Sequence, residues 1–412
     1  MAPVNHKSQI TNQKLFEEIL EALDLPAAEP GIGYLQSLFA RFNERVPFET
    51  ASKIVRDAEI SEPSEKPRLP EVFWSEHLAQ GAGGTCFARV AAFGALLSGL
   101  DFAPRTVLGR VQADFDHAAL LVTAGGEDWI CDVGFPLPAL LPCAEGETAT
   151  PLGTLRVGRT PAGWRVEMLE GVPEGPRSLE IFGAEPSPDE ISRHWRATFR
   201  PDSKFLRGVA LRVEKGGRAV SFAGGEIRVD DLHSRTRIPV PPPRAPVLAE
   251  QFGVDRELLE RAFGIAGDPE PSLRSAEVSA YLETDLSAAD AIERISSPDG
   301  YGRLMDGTAL VAREETSRAG FRLRLSPRGG SSEAGSIVED LTPQPESLAL
   351  RVNREGHESS YEAASRSGRT YLVRRAVLPG PRLDLLRNDS LRGRFAGALA
   401  VDLLAWARLL KR

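Results

Sequence analysis

The apolar period of this 412-residue chain changes sharply just after Asp101. Up to that point it is helical. "TNQKLFEEILEAL" brings Leu15, Ile19, Leu20 and Leu23 to one face, and "YLQSLFARFNERV" does the same with Leu35, Leu38, Phe39 and Phe42. After the Pro- and charge-rich connector "EISEPSEKPRLPE", a third helix is expected from Cys86 to about Gly99. Beyond Asp101 the period is two: "RTVLGRVQA", "HAALLVTA" and "DWICDVGF" read as strands separated by Asp- and Gly-bearing turns. "TLRVGR", "GWRVEML" and "GVALRVEKGGRAVSFAGGEIRV" carry the β region to about Asp230. Helices first and strands after them is the order of an α+β chain.

A helix, "VDRELLERAFGI", follows the proline-rich "PVPPPRAP", and "AGDPEPS", residues 266–272, reads as a linker. Past it come the strand "EVSAYLETDL", the helix "SAADAIERI", and strands "FRLRLS", "SLALRVN" and "TYLVRRAV". A last amphipathic helix, Leu391 to Leu410, aligns Leu391, Phe395, Leu399, Trp406 and Leu410. The expected domains are therefore 1–265 and 273–412. No internal repeat is visible. His357 in "NREGHESS" reads as a solvated turn residue, and "VRR" and "RLLKR" as exposed charges.

With 42% apolar and 26% charged residues the chain is an ordinary globular composition, and its net charge of −8 disfavours a nucleic-acid partner. The most apolar stretch is broken by Arg392, Arg394, Asp402 and Arg408, and the first residues, "MAPVNHKSQITNQ", have no apolar leader. A cytoplasmic protein without a membrane partner is expected. Cys86, Cys131 and Cys143 are too few for a disulfide framework and show no metal-binding spacing.

Cys86 has the most pointed setting, heading a helix straight after Gly83-Gly84 in "GAGGTCFARV". Orphan N–H groups and the macrodipole at a helix N-terminus favour a thiolate, which is the nucleophile. The same N–H groups suit the oxyanion formed on attack, and the glycines would let the backbone approach a substrate carbonyl. The plain alternative is a buried structural cysteine. A nucleophile needs a base and the base an orienting group. "DHAALLVTAGGEDWICDVGF" offers both. A turn around Ala124-Gly125 pairs Val122 with Glu127 and hence His117 with Asp132, on one face with Cβ atoms about 5 Å apart. An imidazole and a carboxylate so placed can hydrogen-bond. They could equally be a satisfied cross-strand pair.

"GGTC" before a helix, then "HAALLV", then "DVGF", resembles the arylamine N-acetyltransferase family. "RVPFET" is similar to its Ile-Pro-Phe-Glu-Asn segment, "HWRATFRPDSKFLRGVALRV" to its stretch ending Pro-x-Ser-x-Phe, and "LAEQFGV" to its closing Phe-Gly-Ile helix. The resemblance spans roughly residues 10–265. It implies a papain-like fold of helical part, β-barrel and α/β lid. It also implies ping-pong transfer from acetyl-CoA or another acyl thioester, through Cys86 with His117 and Asp132, to an arylamine, hydrazine or other amine. Phe48, Phe135 and Phe205 match phenylalanines lining the acceptor pocket, or pack the core. No metal is implied. The second domain resembles, by element order, the START-like helix-grip fold, in which a curved sheet wraps its last helix around an apolar cavity for a ligand. A structural or dimerising α+β domain is the alternative.

Departures accompany the likeness. The family's Arg-Gly-Gly-x-Cys-x-Glu-x-Asn becomes "AGGTCFARV", with Ala82, Ala88 and Val90 at the arginine, glutamate and asparagine. "ALDL" stands where an early arginine is expected, leaving Glu49 without two partners, so the framework must be built differently. Pro136 follows Phe135 where glycine is usual, beside the coenzyme channel, and lacks an N–H. A biosynthetic amide synthase taking carrier-tethered acyl chains therefore stays open. So do a hydrolase with the same triad, as in papain-like proteases or transglutaminase relatives, and a degenerate non-catalytic binding protein.

Overall fold

The computed structural model describes residues 10, 12–169, 178–296, 308–315, 321–327, 337–344, 349–354, 357–366 and 369–410. The chain divides into two compact units, Met1–Ile227 with Val240–Ser272, and Arg228–Pro239 with Leu273–Arg412.

In the first unit α1 (Gln13–Ala22) and α2 (Ile32–Arg45) bury the expected faces, with Leu15, Ile19, Leu35, Leu38 and Phe42 in one core. The Asn12 side chain caps α1 by accepting from Leu15 N. After a short strand β1 (Phe48–Glu49) come two helices that the periodicity does not announce, α3 (Ala51–Glu59) and α4 (Pro70–Gln80). α3 spaces Ala51, Ile54, Val55 and Ala58 as a helical stripe, but its nine residues are a short window for a helix. α4 starts at Pro70 inside the apparent connector, where proline suits a first turn whose N–H is unpaired anyway. α5 (Cys86–Gly99) starts where expected, as the fifth helix rather than the third, and is buried nearly all round. Phe93, Leu96 and Leu97 are fully enclosed, each stabilising the fold by about 1.5–3 kcal/mol. A central position follows from such all-round burial.

α5 packs on an antiparallel sheet formed by β2 (Ala103–Arg110), β3 (Asp114–Ala124), β4 (Glu127–Cys131), β5 (Leu141–Pro142), β6 (Gly146–Thr150), β7 (Gly153–Thr160), β8 (Gly163–Met168) and β9 (Ser178–Phe182). The strand order is β5-β4-β3-β2-β9-β8-β7-β6. α6 (Pro188–Ala197) opens with a capping box between Ser187 and Glu190. Its end leads to Phe205 and to β10 (Leu211–Lys215), which pairs with β1 and with β11 (Arg218–Ala223). α7 (Ala245–Phe252) and α8 (Arg256–Ala266) complete the unit. The expected linker is pinned rather than free, because buried Arg244 donates to Pro269 O at 2.6 Å and pairs with Asp268.

In the second unit the strands Ser234–Pro239, Ala276–Thr284, Arg369–Leu378, His357–Arg366, Ala349–Arg354, Ile337–Gln344, Phe321–Pro327 and Thr308–Glu315 lie side by side in that order, antiparallel throughout. The helices Ala288–Ile295 and Asp389–Leu410 pack on this sheet through Ile292, Leu350, Tyr361, Leu399, Leu403 and Trp406. Residues 228–239, which the sequence assigns to the first domain, group here because Ser234–Arg237 pair with Glu277–Ala280. Four of the strands, beginning at Ser234, Thr308, Ile337 and His357, are not evident from the sequence. His357 thus opens a strand instead of sitting in a turn. The Leu410 side chain, and much of what would line an apolar cavity in this unit, lie outside the described residues. Among the described residues no helix is long and apolar enough to cross a membrane.

Candidate active site

The hairpin β3–β4 sets the histidine and the aspartate. Its register pairs Ala124 with Glu127, Val122 with Trp129 and Leu120 with Cys131. The turn is therefore Gly125-Gly126, not Ala124-Gly125, and both glycines have positive φ (65° and 82°). A two-residue turn of this kind needs positive φ at both central positions, which alanine resists. His117 and Asp132 are consequently not directly opposed. The partner moves by two residues, which preserves the face. Asp132 leaves β4 immediately after Cys131, and its Oδ2 meets His117 Nε2 at 2.7 Å.

Both groups are buried, His117 at 2% exposure and Asp132 at 0%. The other oxygen of Asp132, Oδ1, accepts from Gly134 N at 2.9 Å and Phe135 N at 2.8 Å, so the carboxylate cannot rotate away. His117 lies opposite Gly109 of β2. A β-carbon on Gly109 would stand 2.5 Å from Glu180 O and 3.3 Å from His117 Cδ2, so only glycine admits the backbone here. With Nε2 engaged, Nδ1 is the nitrogen left for Cys86. The two side chains are close. Cys86 Cβ and His117 Cε1 lie 2.9 Å and 3.0 Å from one point, where a β-carbon on Gly134 would sit. Burial works against the imidazolium, but Asp132 and then Cys86 outweigh it and raise His117 to about 10.

Cys86 is 4% exposed and heads α5 behind an extended Thr85 that makes no side-chain cap, so the first-turn N–H groups have no capping partner from Thr85. Its Sγ lies 3.9 Å from Asp116 O. Asp116 is itself fixed, its carboxylate accepting from the backbone N–H of Val111, Gln112 and Ala113. The glycines before Cys86 answer an internal need. A β-carbon on Gly83 would strike Pro47 O at 1.7 Å, and one on Gly84 would meet Arg68 Nη2 at 2.6 Å. Burial, then Asp132, pushes the Cys131 thiol well up, and burial, then Asp128, pushes Cys143 up to about 11.

The three phenylalanines gather here and are each partly exposed. Phe135 presents itself edge-on to His117 at 6.4 Å between ring centroids, and Phe48 meets Phe205 at 5.8 Å. Phe48 also bridges Gly84, two residues before the cysteine.

Two arginines, neither at a defined position of the sequence motifs, hold the framework around Cys86. Arg89, 1% exposed, donates from Nε to Val133 O at 2.7 Å, from Nη2 to Asn43 Oδ1 at 2.9 Å and from Nη1 to Val46 O. It thereby ties the segment after Asp132 to the end of α2. Burial pulls it down to about 9, while Glu214, Asp132 and Glu49 support its charge. An arginine inside the apolar run "CFARVAAF" was the available signal. Arg68 pairs with Glu76 at 2.7 Å and reaches Gly83 O, holding the turn before Cys86. Glu49 turns to its own chain, accepting from Ser52 N at 2.8 Å and from Ser52 Oγ.

Residues 32–172 match a protein-family model described as N-acetyltransferase. The chain is 26% identical over 256 residues to an arylamine N-acetyltransferase / N-hydroxyarylamine O-acetyltransferase of Salmonella typhimurium, covering 58% of this chain and 88% of that one. It is 31% identical over 117 residues to an arylamine N-acetyltransferase of Escherichia coli, 26% and 39% of the respective chains. Among solved structures, the Salmonella typhimurium enzyme aligns with a TM-score of 0.52 at 20% identity, over 61% of this chain and 98% of its own. The Mycobacterium marinum arylamine N-acetyltransferase in complex with CoA aligns equally, with a TM-score of 0.52 at 18% identity, over 61% and 99%. The fold is thus the papain-like one expected, followed by a further α+β unit.

Proposed function

We propose that the chain, whose first unit is similar to arylamine N-acetyltransferases, acts as a member of that family and moves an acyl group from a thioester, acetyl-CoA in the first instance, through Cys86 to an amine. The single observation carrying this reading is the buried His117–Asp132 bond of 2.7 Å, with the imidazole edge close beside the helix-start cysteine. A relative solved with CoA supports a coenzyme A donor.

His117 holds the proton of Cys86 on Nδ1, and Asp132 supports the imidazolium through Nε2. The thiolate attacks the thioester carbonyl, and the first-turn N–H groups of α5 receive the oxyanion. The carbon–sulfur bond to the donor breaks, and the departing thiolate takes the proton from His117. The amine then attacks the acyl-cysteine carbonyl, gives its proton to His117, and the Cys86 thiolate leaves. Phe48, Phe135 and Phe205 form the apolar wall for the amine. Residues 273–412 we assign to a separate helix-grip domain for an apolar ligand, a reading supported by the strand order and by the two helices on its sheet.

Initial rates measured with acetyl-CoA and aniline varied together test the transfer. Parallel double-reciprocal lines, an acetanilide product and loss of both in Cys86→Ser are expected. Intersecting lines, or release of acetate without amide, would count against transfer through an acyl-enzyme to an amine.

A further inference from the structure

α3 carries a charge that the transfer mechanism does not use. Lys53 is 5% exposed, as enclosed as Cys86 itself. Its Nζ donates to Thr198 Oγ1 at 2.6 Å and lies 4.1 Å from the centroid of the Phe199 ring. The Thr198 hydroxyl donates in turn to Trp195 O at 2.7 Å. Among the described residues no carboxylate comes within ion-pair distance of Lys53. Asp57, one turn further along α3, is taken by Lys66 at 2.6 Å. One hydroxyl and one aromatic face thus serve an ammonium with three donors. Buried charges are ordinarily paired, and an unpaired one is costly.

The position of this ammonium gives it a use. Thr198 and Phe199 lead from α6 towards Phe205, whose ring meets Phe48, and Phe48 bridges the turn before Cys86. Trp195, one turn earlier, stacks on Phe87, the neighbour of Cys86, at 6.3 Å. Burial lowers Lys53 to about 7, and the charge of Cys86 is the largest influence acting the other way. α3 also packs against residues Lys204–Leu206, the turn that carries Phe205, so Lys53 lies on the side that the phenylalanines line.

We propose that Lys53 is a substrate-binding residue whose ammonium receives a carboxylate carried by the substrate, on the amine or on the acyl chain. The proposal rests on the acyl-transfer reading for its placement beside the reacting carbonyl. The phenylalanines take the ring or chain, and the carboxylate supplies the counter-charge that the protein withholds. A bound carboxylate would hold the proton on Lys53, whereas a neutral substrate leaves an amine that burial lowers to about 7, so charge becomes the basis of selection.

The test uses the full-length chain with Lys53→Met and Lys53→Arg. Benzoate and succinate, which cannot be transferred, are titrated calorimetrically. At least one should bind the wild type at least about tenfold more tightly than Lys53→Met, with Lys53→Arg keeping most of the affinity. Turnover then locates the carboxylate. Acetyl-enzyme is discharged with 4-aminobenzoate or 4-methylaniline, and free enzyme is acylated with succinyl-CoA or acetyl-CoA. In Lys53→Met the ratio of anionic to neutral substrate should fall at least about tenfold in one of the two half-reactions, naming the amine or the acyl chain as the carrier. Equal binding of both acids by wild type and Lys53→Met, or no binding by either, overturns the proposal. Selective binding without any acyl-enzyme would instead overturn the transfer reading.

Discussion

Gly134 is the most exacting position in the site that carries no functional group. Alanine there places a β-carbon 2.6 Å from Ala118 O, 2.9 Å from Cys86 Cβ and 3.0 Å from His117 Cε1. The backbone itself does not resist, since Gly134 is absent from the glycines with positive φ. Carbon atoms in contact sit about 3.5–4 Å apart, so nucleophile and base must each retreat by roughly 0.5–1 Å. A misplacement of about 1 Å costs on the order of 100-fold in rate, close to 2.7 kcal/mol of barrier. Gly134→Ala should thus slow formation of the acetyl-enzyme about 100-fold at saturating acetyl-CoA. Quenched-flow mass spectrometry reads that rate, and circular dichroism with a thermal melt checks the fold. A folded Gly134→Ala protein acylating near the wild-type rate would refute the geometry proposed for Cys86 and His117.

Iodoacetamide near neutral pH should label Cys86 well before Cys131 or Cys143, whose thiols are pushed up by burial; peptide mapping that finds Cys86 slowest would contradict its assignment. Arg89→Met should destabilise the protein by about 3 kcal/mol in urea, because Val46 O, Val133 O and Asn43 Oδ1 lose a buried donor. His117 is raised from its ordinary value near 6.5 to about 10, so the folded state holds a proton that the unfolded state releases between those values. Its contribution is full below about 6.5 and lost as pH rises through about 10. Melting temperatures of wild type and His117→Gln, compared across that window, should converge as pH rises.

Local signals carried much of this architecture. The stripes of α1 and α2, the alternation from β2 to β4, and Cys86 at a helix start all depend on neighbouring residues in the chain. The His117–Asp132 contact was legible because face parity survives a shift of two, although the turn was misplaced by reading Ala124 into it. α3 did not stand out, because a stripe of four apolar residues, Ala51, Ile54, Val55 and Ala58, over nine positions is shorter than the window in which a helical period is decisive. Nor did Arg68, Arg89 and Lys53, whose partners lie from 8 to 145 residues away and follow from tertiary contact alone. The pairing of residues 234–237 with the second unit is non-local in the same way.

The central claim is that Cys86 carries the acyl group under the control of His117 and Asp132. The most direct measurement incubates the full-length protein with acetyl-CoA alone, then takes the intact mass and maps its peptides. The account predicts one acetyl group, on the peptide containing Cys86, formed orders of magnitude more slowly in Asp132→Asn and discharged on adding an arylamine. An acetyl group on another residue, or equal acylation in Asp132→Asn, would contradict it.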